Sequence, residues 1–466
     1  MTKIKFGTDG WRAIIANDFT IENVTKVSVA VADWLNNSQK SPTVVIGYDT
    51  RFGGEMFAKQ IAVVLADRGI KVFLSDNFVS TPMLSLGTLK QNASLGIIVT
   101  ASHNPPSYNG IKLKGSYGGP LLPEKVEEIE KLIPEIITEV FDTLNYEEYL
   151  QLKKVEYIDL ESIYLAHIEE NFDLDAIRNS GLKFAFDGMY GSGQNIIKKI
   201  LPDATFFRCD YNPSFMGQAP EPIEKNLKEF SRIIKSCGAD SGLAVDGDAD
   251  RIGLLNSEGN FIDSHHLILL LIHYLVKYKK QTGKVCVAFS TTSRIKKMCQ
   301  HYNLDLEISK IGFKYICSTM IKEDVLIGGE ESGGIAVKGH IPERDGIWIG
   351  LVIWEYMAKS GRTLQELIDE VYQVTGKFAL ERHDLHLQEE LKNQIIENCK
   401  NGKYNSFGKY KVQRIDNLDG YKYFFSDDEW IMIRPSGTEP VLRAYAESYS
   451  KEEAGEILKA MHDEIM

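Results

Sequence analysis

The chain has 466 residues, of which 43% are hydrophobic and 25% are charged, the composition of a soluble globular protein. This length exceeds what one hydrophobic core supports, so three or four domains are expected. The net charge of −12 and the pI near 5.5 argue against a nucleic-acid or anionic-membrane surface. Any anionic substrate must therefore be held by locally placed lysine and arginine side chains.

The first residues, the hydrophobic segments and the cysteines indicate a cytoplasmic protein. Residues 1–7 contain no apolar segment of the kind found in signal peptides. The longest apolar stretch, Leu267 to Val276, contains His273 and is too short to span a bilayer. The cysteines show neither CxxC pairing nor metal-ligand spacing, so reduced thiols are expected. They are Cys209, Cys237, Cys286, Cys299, Cys317 and Cys399.

Strands and helices alternate in the first part of the chain, which predicts a parallel or mixed α/β unit. A polar loop interrupted by glycines, Phe6 to Arg12, comes first, and helical periodicity follows over 21–35. Val44 to Tyr48 predicts a strand that ends in Asp49-Thr50-Arg51, and a helix over 55–68 leads to a strand over 71–74. From composition alone, Arg12 is better explained by a turn than by a bound phosphate.

The next predicted strand, Leu95 to Val99, ends in Thr100-Ala101-Ser102-His103-Asn104-Pro105. Ligands of open α/β sheets bind just beyond the carboxyl ends of the strands. Ser102 is therefore a candidate nucleophile or phosphoryl carrier, with His103 beside it in sequence. Lys112 follows a few residues later, in Asn109-Gly110-Ile111-Lys112.

A charged segment over 123–178 predicts solvated helices that join two domains. A second α/β unit begins with the strand Lys183 to Phe186 and a glycine cluster, Asp187 to Gly193. This cluster fits neither the GxGxxG nor the GxxxxGK[ST] pattern, and close packing between strand and helix explains it more simply.

The second unit closes with the strand Gly242 to Val245 and the acidic loop Asp246-Gly247-Asp248-Ala249-Asp250-Arg251. Three carboxylates at alternate positions repel one another strongly unless a cation neutralises them. Hard oxygen ligands select Mg²⁺, Mn²⁺ or Ca²⁺. An EF-hand is excluded, because Arg251 stands where its glycine is required and Ser257 where its glutamate is required. The loop therefore predicts a divalent-metal site.

A third α/β unit begins near Ser264, with a strand over 285–289 and a glycine-hinged loop that carries Lys314. Its strand Val325 to Ile327 ends in Gly328-Gly329-Glu330-Glu331-Ser332-Gly333-Gly334, a set of small and acidic groups that suits a polyhydroxylated ligand. The segment from Lys338 to Gly346 adds His340, Arg344 and Asp345, and a helix resumes over 347–357.

Shorter strands with alternating patterns follow Gly376, for example over 380–387 and 410–415. The strand Trp430 to Ile433 ends in Arg434-Pro435-Ser436-Gly437-Thr438-Glu439-Pro440. A guanidinium, two hydroxyls and glycine-freed N–H groups within a few residues are what a phosphate needs. The final segment, Lys451 to Ile465, predicts an amphipathic helix on a small α+β domain.

Five polar segments resemble, in their order along the chain, the motif set of the α-D-phosphohexomutases, and the resemblance covers nearly the whole chain. They are Phe6 to Arg12, Thr100 to Pro105, Asp246 to Arg251, Gly329 to Gly333 and Arg434 to Pro440. It implies three related α/β domains with mixed sheets and a smaller C-terminal α+β domain around a central cleft. We place the domains at 1–150 (phosphoserine loop), 151–257 (metal loop), 258–376 (sugar loop) and 377–466 (phosphate loop).

The resemblance also implies the roles of the site residues. Ser102 would carry a phosphoryl group and share one Mg²⁺ with Asp246, Asp248 and Asp250. A hexose 1,6-bisphosphate would serve as activator and intermediate, and the partners would be small hexose phosphates. The expected catalytic residues are Ser102, His103, Lys112, Arg12 and Arg251. The expected substrate-binding residues are Lys314, Glu330, Ser332, His340, Arg434, Ser436, Gly437, Thr438 and Arg443.

Three questions stay open at this point. Either Lys112 or His103 could move the proton of the sugar hydroxyl, since proton transfer depends first on geometry. With Glu331, the third predicted loop has the sequence GEES, which resembles that of phosphoglucomutases and favours glucose as the sugar of the substrate. Mannose is the alternative, and glucosamine is less favoured. A metal-dependent phosphatase and a non-catalytic sugar-phosphate binder are the alternatives from other classes, and the chain could be a monomer or a homodimer.

Overall fold

The computed structural model describes residues 4–141, 146–435 and 441–466. Four β-sheets follow one another along the chain, the first three mixed and the fourth antiparallel. Helices cover each sheet, which confirms the expected three α/β units and the smaller α+β unit. Among the helices of the described residues, none is both long and apolar enough to cross a membrane.

Sheet 1 is built from β1 (Trp11–Ile14), β2 (Thr43–Tyr48), β3 (Lys71–Ser75), β4 (Leu95–Val99), β5 (Tyr108–Gly115), β6 (Gly119–Pro120) and β7 (Val155–Ile158). Its strand order is β1-β5-β4-β2-β3-β7, and β6 pairs with β5. Because β7 pairs with β3, the sheet reaches past the boundary predicted at residue 150. The helices of this region are α1 (Ile21–Ser38), α2 (Gly54–Asp67), α3 (Thr81–Lys90), α4 (Pro123–Leu132), α5 (Tyr146–Gln151), α6 (Leu160–Asn171) and α7 (Leu174–Arg178).

Sheet 2 has the order β12-β11-β10-β8-β9, and sheet 3 has the order β14-β13-β15-β16. The strands are β8 (Phe184–Asp187), β9 (Thr205–Phe207), β10 (Ser241–Val245), β11 (Ile252–Asn256), β12 (Phe261–Ile262), β13 (Lys284–Ala288), β14 (Leu306–Ser309), β15 (Val325–Gly329) and β16 (Ile335–Val337). The helices are α8 (Ile196–Ile200), α9 (Lys228–Cys237), α10 (Ser264–His273), α11 (Arg294–Tyr302), α12 (Phe313–Met320), α13 (Gly346–Ser360) and α14 (Leu364–Thr375). A π-helical segment, Tyr274–Tyr278, extends α10, and short 3-10 turns occur at Phe215–Gly217 and Glu224–Asn226.

Sheet 4 has the order β17-β23-β22-β21-β20, and β18 and β19 form a separate ribbon. The strands are β17 (Ala379–His386), β18 (Ser406–Phe407), β19 (Tyr410–Lys411), β20 (Arg414–Asp416), β21 (Tyr421–Phe424), β22 (Trp430–Pro435) and β23 (Val441–Ser448), with helices α15 (Glu389–Lys400) and α16 (Lys451–Ile465). The single strand predicted over 410–415 is therefore divided, because its two ends pair with different strands.

The loops that carry the predicted chemistry hold equivalent positions in sheets 1 to 3. Strands β4, β10 and β15 each pair in parallel with one neighbour and antiparallel with the next strand of the chain. The connections to those antiparallel partners are residues 100–107, 246–251 and 330–334. Three related units thus present one loop each toward a common cleft.

Helix α6 differs from the expectation of solvated connecting helices over 123–178. Its residues Leu160, Tyr164 and Ile168 are fully buried in the largest hydrophobic core of the protein. The same core contains Ile347 and Trp348 of α13, so the segment packs between units. Leu160, Tyr164 and Ile168 recur at helical spacing and form an apolar stripe, which is hard to recognise in the sequence because most residues around it are charged or polar.

Candidate active site

Ser102 follows β4 in a left-handed backbone conformation, with φ of 51°. Its amide donates a hydrogen bond to Thr100 Oγ1 over 2.9 Å, and its Oγ donates to Asp246 Oδ2 over 2.6 Å. The side chain is buried, and a Cβ at Gly247 would lie only 2.5 Å from the Ser102 carbonyl oxygen. The close approach of the two loops therefore requires glycine at 247, and it places the serine hydroxyl against the acidic loop.

The acidic loop is buried, and Asp246, Asp248 and Asp250 have ligand oxygens within 4.8 Å of one another. Burial, reinforced by the other two carboxylates, raises the pKa of Asp246 well above its ordinary value. Burial acts in the same direction on Asp248, but Lys112 outweighs it and the pKa of Asp248 falls below its ordinary value. The glycine cluster over 187–193 packs against this loop, since a Cβ at Gly191 would lie 2.8 Å from the Asp246 carbonyl oxygen.

The carboxylates fit a divalent cation. Among the described residues, Asp248 Oδ1 and Asp250 Oδ1 are buried and have no hydrogen-bond partner. Buried carboxylate oxygens without partners are costly unless a cation binds them. An all-oxygen donor set selects Mg²⁺ or a similar hard ion. Asp246, Asp248 and Asp250 would hold that ion, and Ser102 Oγ lies next to them.

Lys112 Nζ lies among three carboxylates, 2.7 Å from Asp248 Oδ2, 2.8 Å from Asp250 Oδ2 and 2.8 Å from Asp9 Oδ2. Burial alone would lower the pKa of Lys112, but the three acids raise it above its ordinary value. Lys112 is therefore a fixed cation in this arrangement. Its contact with Asp9 joins the N-terminal polar loop, which also carries Arg12, to the acidic loop, and the sequence had indicated no role for Asp9 itself.

His103 Nδ1 lies 3.3 Å from Ser102 Oγ. Burial, together with Arg251 and Arg12, holds the pKa of His103 well below its ordinary value, so the imidazole is neutral near pH 7. Arg12 donates to Asn104 Oδ1 over 2.6 Å, and Arg251 lies 3.8 Å from Glu221. The structure therefore brings His103, Lys112, Arg12 and Arg251 together around the serine loop and the acidic loop.

Arg344 is a second buried cation of the site, and sequence reasoning mentioned it without assigning it a role. Its NH2 lies 2.6 Å from Asp9 Oδ2 and 2.7 Å from Asp250 Oδ2, and its NH1 lies 4.0 Å from Glu330 Oε2. These acids come from the units of sheets 1, 2 and 3. One guanidinium therefore joins all three α/β units at the cleft, a contact that sequence spacing could not show.

The predicted sugar loop, residues 330–334, contains the buried Glu330 and the half-buried Ser332. Glu330 accepts the backbone N–H of Gly312 over 2.9 Å, and burial, opposed by Arg344, raises its pKa to about 7. Lys314 lies in the first turn of α12, shortly after Gly312. Ser332 lines a groove together with Arg251, Gly333, Arg382 and Tyr445.

Glu331 has a different role from its neighbour. Its carboxylate accepts hydrogen bonds from Ser290 Oγ over 2.6 Å and from Tyr445 OH over 3.3 Å. Tyr445 belongs to β23, so Glu331 connects the sugar loop to sheet 4.

His340 does not fit the expected substrate-binding role. Its Nε2 lies 2.9 Å from Asp345 Oδ2, and its Nδ1 lies 3.2 Å from His167 Nε2. The ring stacks on Trp348 at 3.8 Å, and its side chain is 1% exposed. Both nitrogens are used within the protein, so His340 stabilises the contact between α6 and α13.

The predicted phosphate loop is only partly described, because Ser436, Gly437 and Thr438 lie outside the described residues. Arg434 lies at the end of β22, where its Nε donates to Asp419 Oδ1 over 3.2 Å. Arg443 is its direct partner in the β22–β23 register, so both side chains emerge from the same face of sheet 4.

Three related α/β units and an α+β unit that surround a buried serine, an acidic metal loop and several cations define a phosphohexomutase. Family models of phosphoglucomutase/phosphomannomutase match the chain in four parts: α/β/α domain I at residues 3–139, domain II at 162–259, domain III at 263–375 and the C-terminal domain at 392–464. The chain belongs to the phosphoglucomutase/phosphomannomutase family.

Individual relatives agree with this assignment. A phosphoglucomutase/phosphomannomutase of Thermococcus kodakarensis is 31% identical over 97% of this chain and 96% of that protein. A phosphoglucosamine/phosphogalactosamine mutase of Sulfurisphaera tokodaii is 29% identical over 98% of both chains. A crystal structure from Thermus thermophilus, described as a candidate phosphomannomutase, has a TM-score of 0.88 and 30% identity, and the match covers 100% of this chain and 99% of that one.

The unpartnered oxygens lead to a prediction about metal binding. Calorimetric titration with Mn²⁺ should show one ion per chain, and Asp250→Asn should weaken its binding by at least about ten-fold, because one charged ligand is lost. Asp203→Asn, which removes an exposed acid of the same unit, is the matched control and should bind the ion like the wild type. Equal affinity in Asp250→Asn would contradict the assignment of the site.

Proposed function

We propose that this protein interconverts glucose 1-phosphate and glucose 6-phosphate through a phosphorylated Ser102 and a hexose 1,6-bisphosphate. The observation that carries the proposal is the hydrogen bond of 2.6 Å from Ser102 Oγ to Asp246, inside a cluster of three buried carboxylates. A serine held against a metal loop suits a phosphoryl carrier, whereas a protein that only bound sugar phosphates would need no such group.

The reaction requires two transfers in opposite directions. In the first, the bond between phosphorus and Ser102 Oγ breaks, a bond from phosphorus to a sugar hydroxyl oxygen forms, and the hydroxyl proton passes by way of a base to the departing Ser102 Oγ. The resulting bisphosphate then turns round. In the second transfer, its other phosphoryl group moves to Ser102 Oγ, and the proton of the serine hydroxyl passes to the sugar oxygen that is released.

Charge neutralisation is the main requirement of such transfers. A bound Mg²⁺ would supply a Lewis acid at the phosphoryl oxygens. Lys112 and Arg344 supply two further cations at fixed positions, 2.8 Å and 2.7 Å from Asp250. His103 is neutral and lies 3.3 Å from Ser102 Oγ, so it is able to accept a proton, whereas the raised pKa of Lys112 keeps that side chain charged and makes it a poor proton donor.

The non-reacting phosphate would bind on sheet 4. Arg434 and Arg443 emerge side by side from this sheet, and Tyr445, two residues further along β23, contacts the sugar loop. Paired guanidinium groups bind phosphate well. Because this phosphate site belongs to a different unit from Ser102, the sugar can reverse while the unit that holds the phosphate opens and closes.

The identity of the substrate sugar is supported by fewer contacts than the phosphoryl transfer is. The GEES sequence favours glucose, with mannose as the alternative, but Glu331 is held by Ser290 and Tyr445, so Glu330 and Ser332 are left to read the hydroxyls. The relative that is named a phosphoglucosamine/phosphogalactosamine mutase, at 29% identity, makes glucosamine 6-phosphate a further candidate substrate after mannose 6-phosphate.

A substrate panel tests the reaction and ranks the sugars. The wild type with Mg²⁺ and a trace of glucose 1,6-bisphosphate should isomerise glucose 1-phosphate faster than mannose 1-phosphate or glucosamine 1-phosphate. Ser102→Ala should lower turnover at least about 1000-fold, because the phosphoryl carrier is lost. Ser107→Ala, in the same loop but exposed, should retain full activity. Release of inorganic phosphate without isomerisation would favour the phosphatase alternative instead.

The raised pKa of Glu330 predicts a pH effect on sugar binding. Below a pKa of about 7 the carboxyl is protonated and loses acceptor strength toward sugar hydroxyls, so KM should rise as the pH falls from about 8 to about 6. In Glu330→Gln, KM should lack the part of this pH dependence that comes from protonation of the carboxyl group. The second pKa of the substrate phosphate, near 6, affects both proteins, so the difference between their profiles isolates Glu330.

The exposed Glu258 supplies the control, since Glu258→Gln should follow the wild-type profile. Identical profiles for Glu330→Gln and the wild type would contradict a role of this carboxylate in reading the sugar.

A further inference from the structure

Arg51 lies directly beneath the serine loop, residues 100–107, and is not among the residues expected to contact the substrate or the metal ion. It follows β2 in Asp49-Thr50-Arg51 and is 1% exposed. Its guanidinium donates four hydrogen bonds to backbone carbonyls of the segment after β4. Its NH2 donates to the carbonyls of Ser102 (2.6 Å) and Asn104 (2.7 Å), and its NH1 donates to those of Pro105 (2.8 Å) and Tyr108 (3.0 Å).

The carboxylate of Asp49 also supports the serine loop, by way of Thr100. It accepts hydrogen bonds from Thr100 Oγ1 over 2.5 Å and from the Arg51 backbone over 2.9 Å. Thr100 Oγ1 in turn accepts the amide of Ser102. The carbonyl of Ser102 is therefore held by Arg51 and its amide by Thr100, whose hydroxyl is fixed by Asp49, which explains how a non-glycine residue is kept at a φ of 51°.

A segment of the second unit covers the guanidinium. The ring centroid of Phe215 lies 5.0 Å from Arg51 Cζ, and the side chain is buried. Phe215, Met216 and Gly217 have successive positive φ values of 46°, 52° and 78°. Two consecutive non-glycine residues in this conformation are strained, and such strain persists where the surroundings require it. Thr50 Oγ1 also donates to the Tyr190 carbonyl of that unit over 2.8 Å.

The chemistry of the guanidinium explains why arginine occupies this position. Its NH1 and NH2 groups are planar and diverge, so they reach carbonyls on both sides of the turn, whereas a lysine ammonium is a point charge. Since both terminal nitrogens are used by the backbone, Arg51 has no direction left in which to grip a substrate phosphate. Its influence on the reaction passes through the conformation of Ser102.

We propose that Arg51 is a positioning residue for phosphoryl transfer. It holds the serine loop in the left-handed turn that aims Ser102 Oγ at the metal loop, and Phe215 secures the guanidinium from the second unit. This inference rests on the proposed function, because it assigns to Arg51 the geometry of the step that Ser102 performs. It adds a residue pair that joins the phosphoryl carrier to the neighbouring unit.

The test compares Arg51→Lys, Arg51→Ala and Phe215→Leu with Arg68→Ala, which removes a partly exposed arginine whose partners are Asp33 and Glu139. Two quantities are measured: steady-state kcat and KM for glucose 1-phosphate, and the rate at which glucose 1,6-bisphosphate phosphorylates Ser102, followed by intact-mass spectrometry. Circular dichroism establishes that each variant is folded. If Arg51→Ala does not fold, the two milder variants carry the test.

Arg51→Lys should lower kcat and the phosphorylation rate about a hundred-fold, the usual effect of a misplaced reacting group. KM should change by less than about three-fold, because substrate contacts are intact. Phe215→Leu should give a smaller loss of the same kind. Free guanidinium, at concentrations far below those that unfold proteins, should restore part of the turnover of Arg51→Ala and have no such effect on Arg68→Ala.

Wild-type kcat in Arg51→Lys would overturn the inference. So would a change confined to KM, which would mean direct substrate contact, or a loss of thermal stability with an unchanged phosphorylation rate. The wild-type reaction with the hexose phosphates tests the proposed function separately, since the role of Arg51 is judged only from the ratio between variant and wild type.

Discussion

The structure depends on the compensation of negative charge in one buried loop. Asp246, Asp248 and Asp250 cannot be buried together without cations, and their own unit does not supply enough of them. Lys112 comes from sheet 1, and Arg344 comes from the segment that follows β16. Lys112 and Arg344 offset Asp9, Asp248 and Asp250, and a divalent ion would add positive charge at Asp246 and at the unpartnered oxygens of Asp248 and Asp250. The acidic loop is therefore stabilised by cations from the neighbouring units, at the place where the units meet.

The need to compensate this buried negative charge is also reflected in how the functional groups are distributed among the units. The loops at the ends of β4, β10 and β15 are topologically equivalent, yet one carries a hydroxyl, one carries carboxylates and one carries Glu330 and Ser332, which we propose to contact the sugar. Sheet 4 adds Arg434 and Arg443 from a unit that contacts the sugar loop through Tyr445. The proposed reaction, in which the substrate reverses between two transfers, requires fixed groups around Ser102 and a phosphate site on a separate unit.

Local patterns predicted much of this arrangement. The bounds of β4 and α16 agree with the predicted segments, and the acidic loop was identified because its carboxylates are adjacent in sequence. Contacts between segments that are distant in sequence were not predictable, because local patterns carry no information about them. Asp9 and Arg344 lie 335 positions apart, and Arg51 and Ser102 lie 51 positions apart. His340 was misjudged because a histidine beside charged residues resembles a ligand-binding group, whereas its stacking on Trp348 becomes visible only in the folded chain.

The most direct test of the central claim follows one phosphoryl group. Glucose 1,6-bisphosphate with labelled phosphate is incubated with the protein, the excess is removed, and the label is located by peptide mapping. Unlabelled glucose 1-phosphate is then added. Transfer through a phosphoserine places the label on Ser102 before the addition and in glucose bisphosphate and glucose 6-phosphate afterwards. Label that never resides on Ser102, or that leaves it only as inorganic phosphate, would rule out this mechanism.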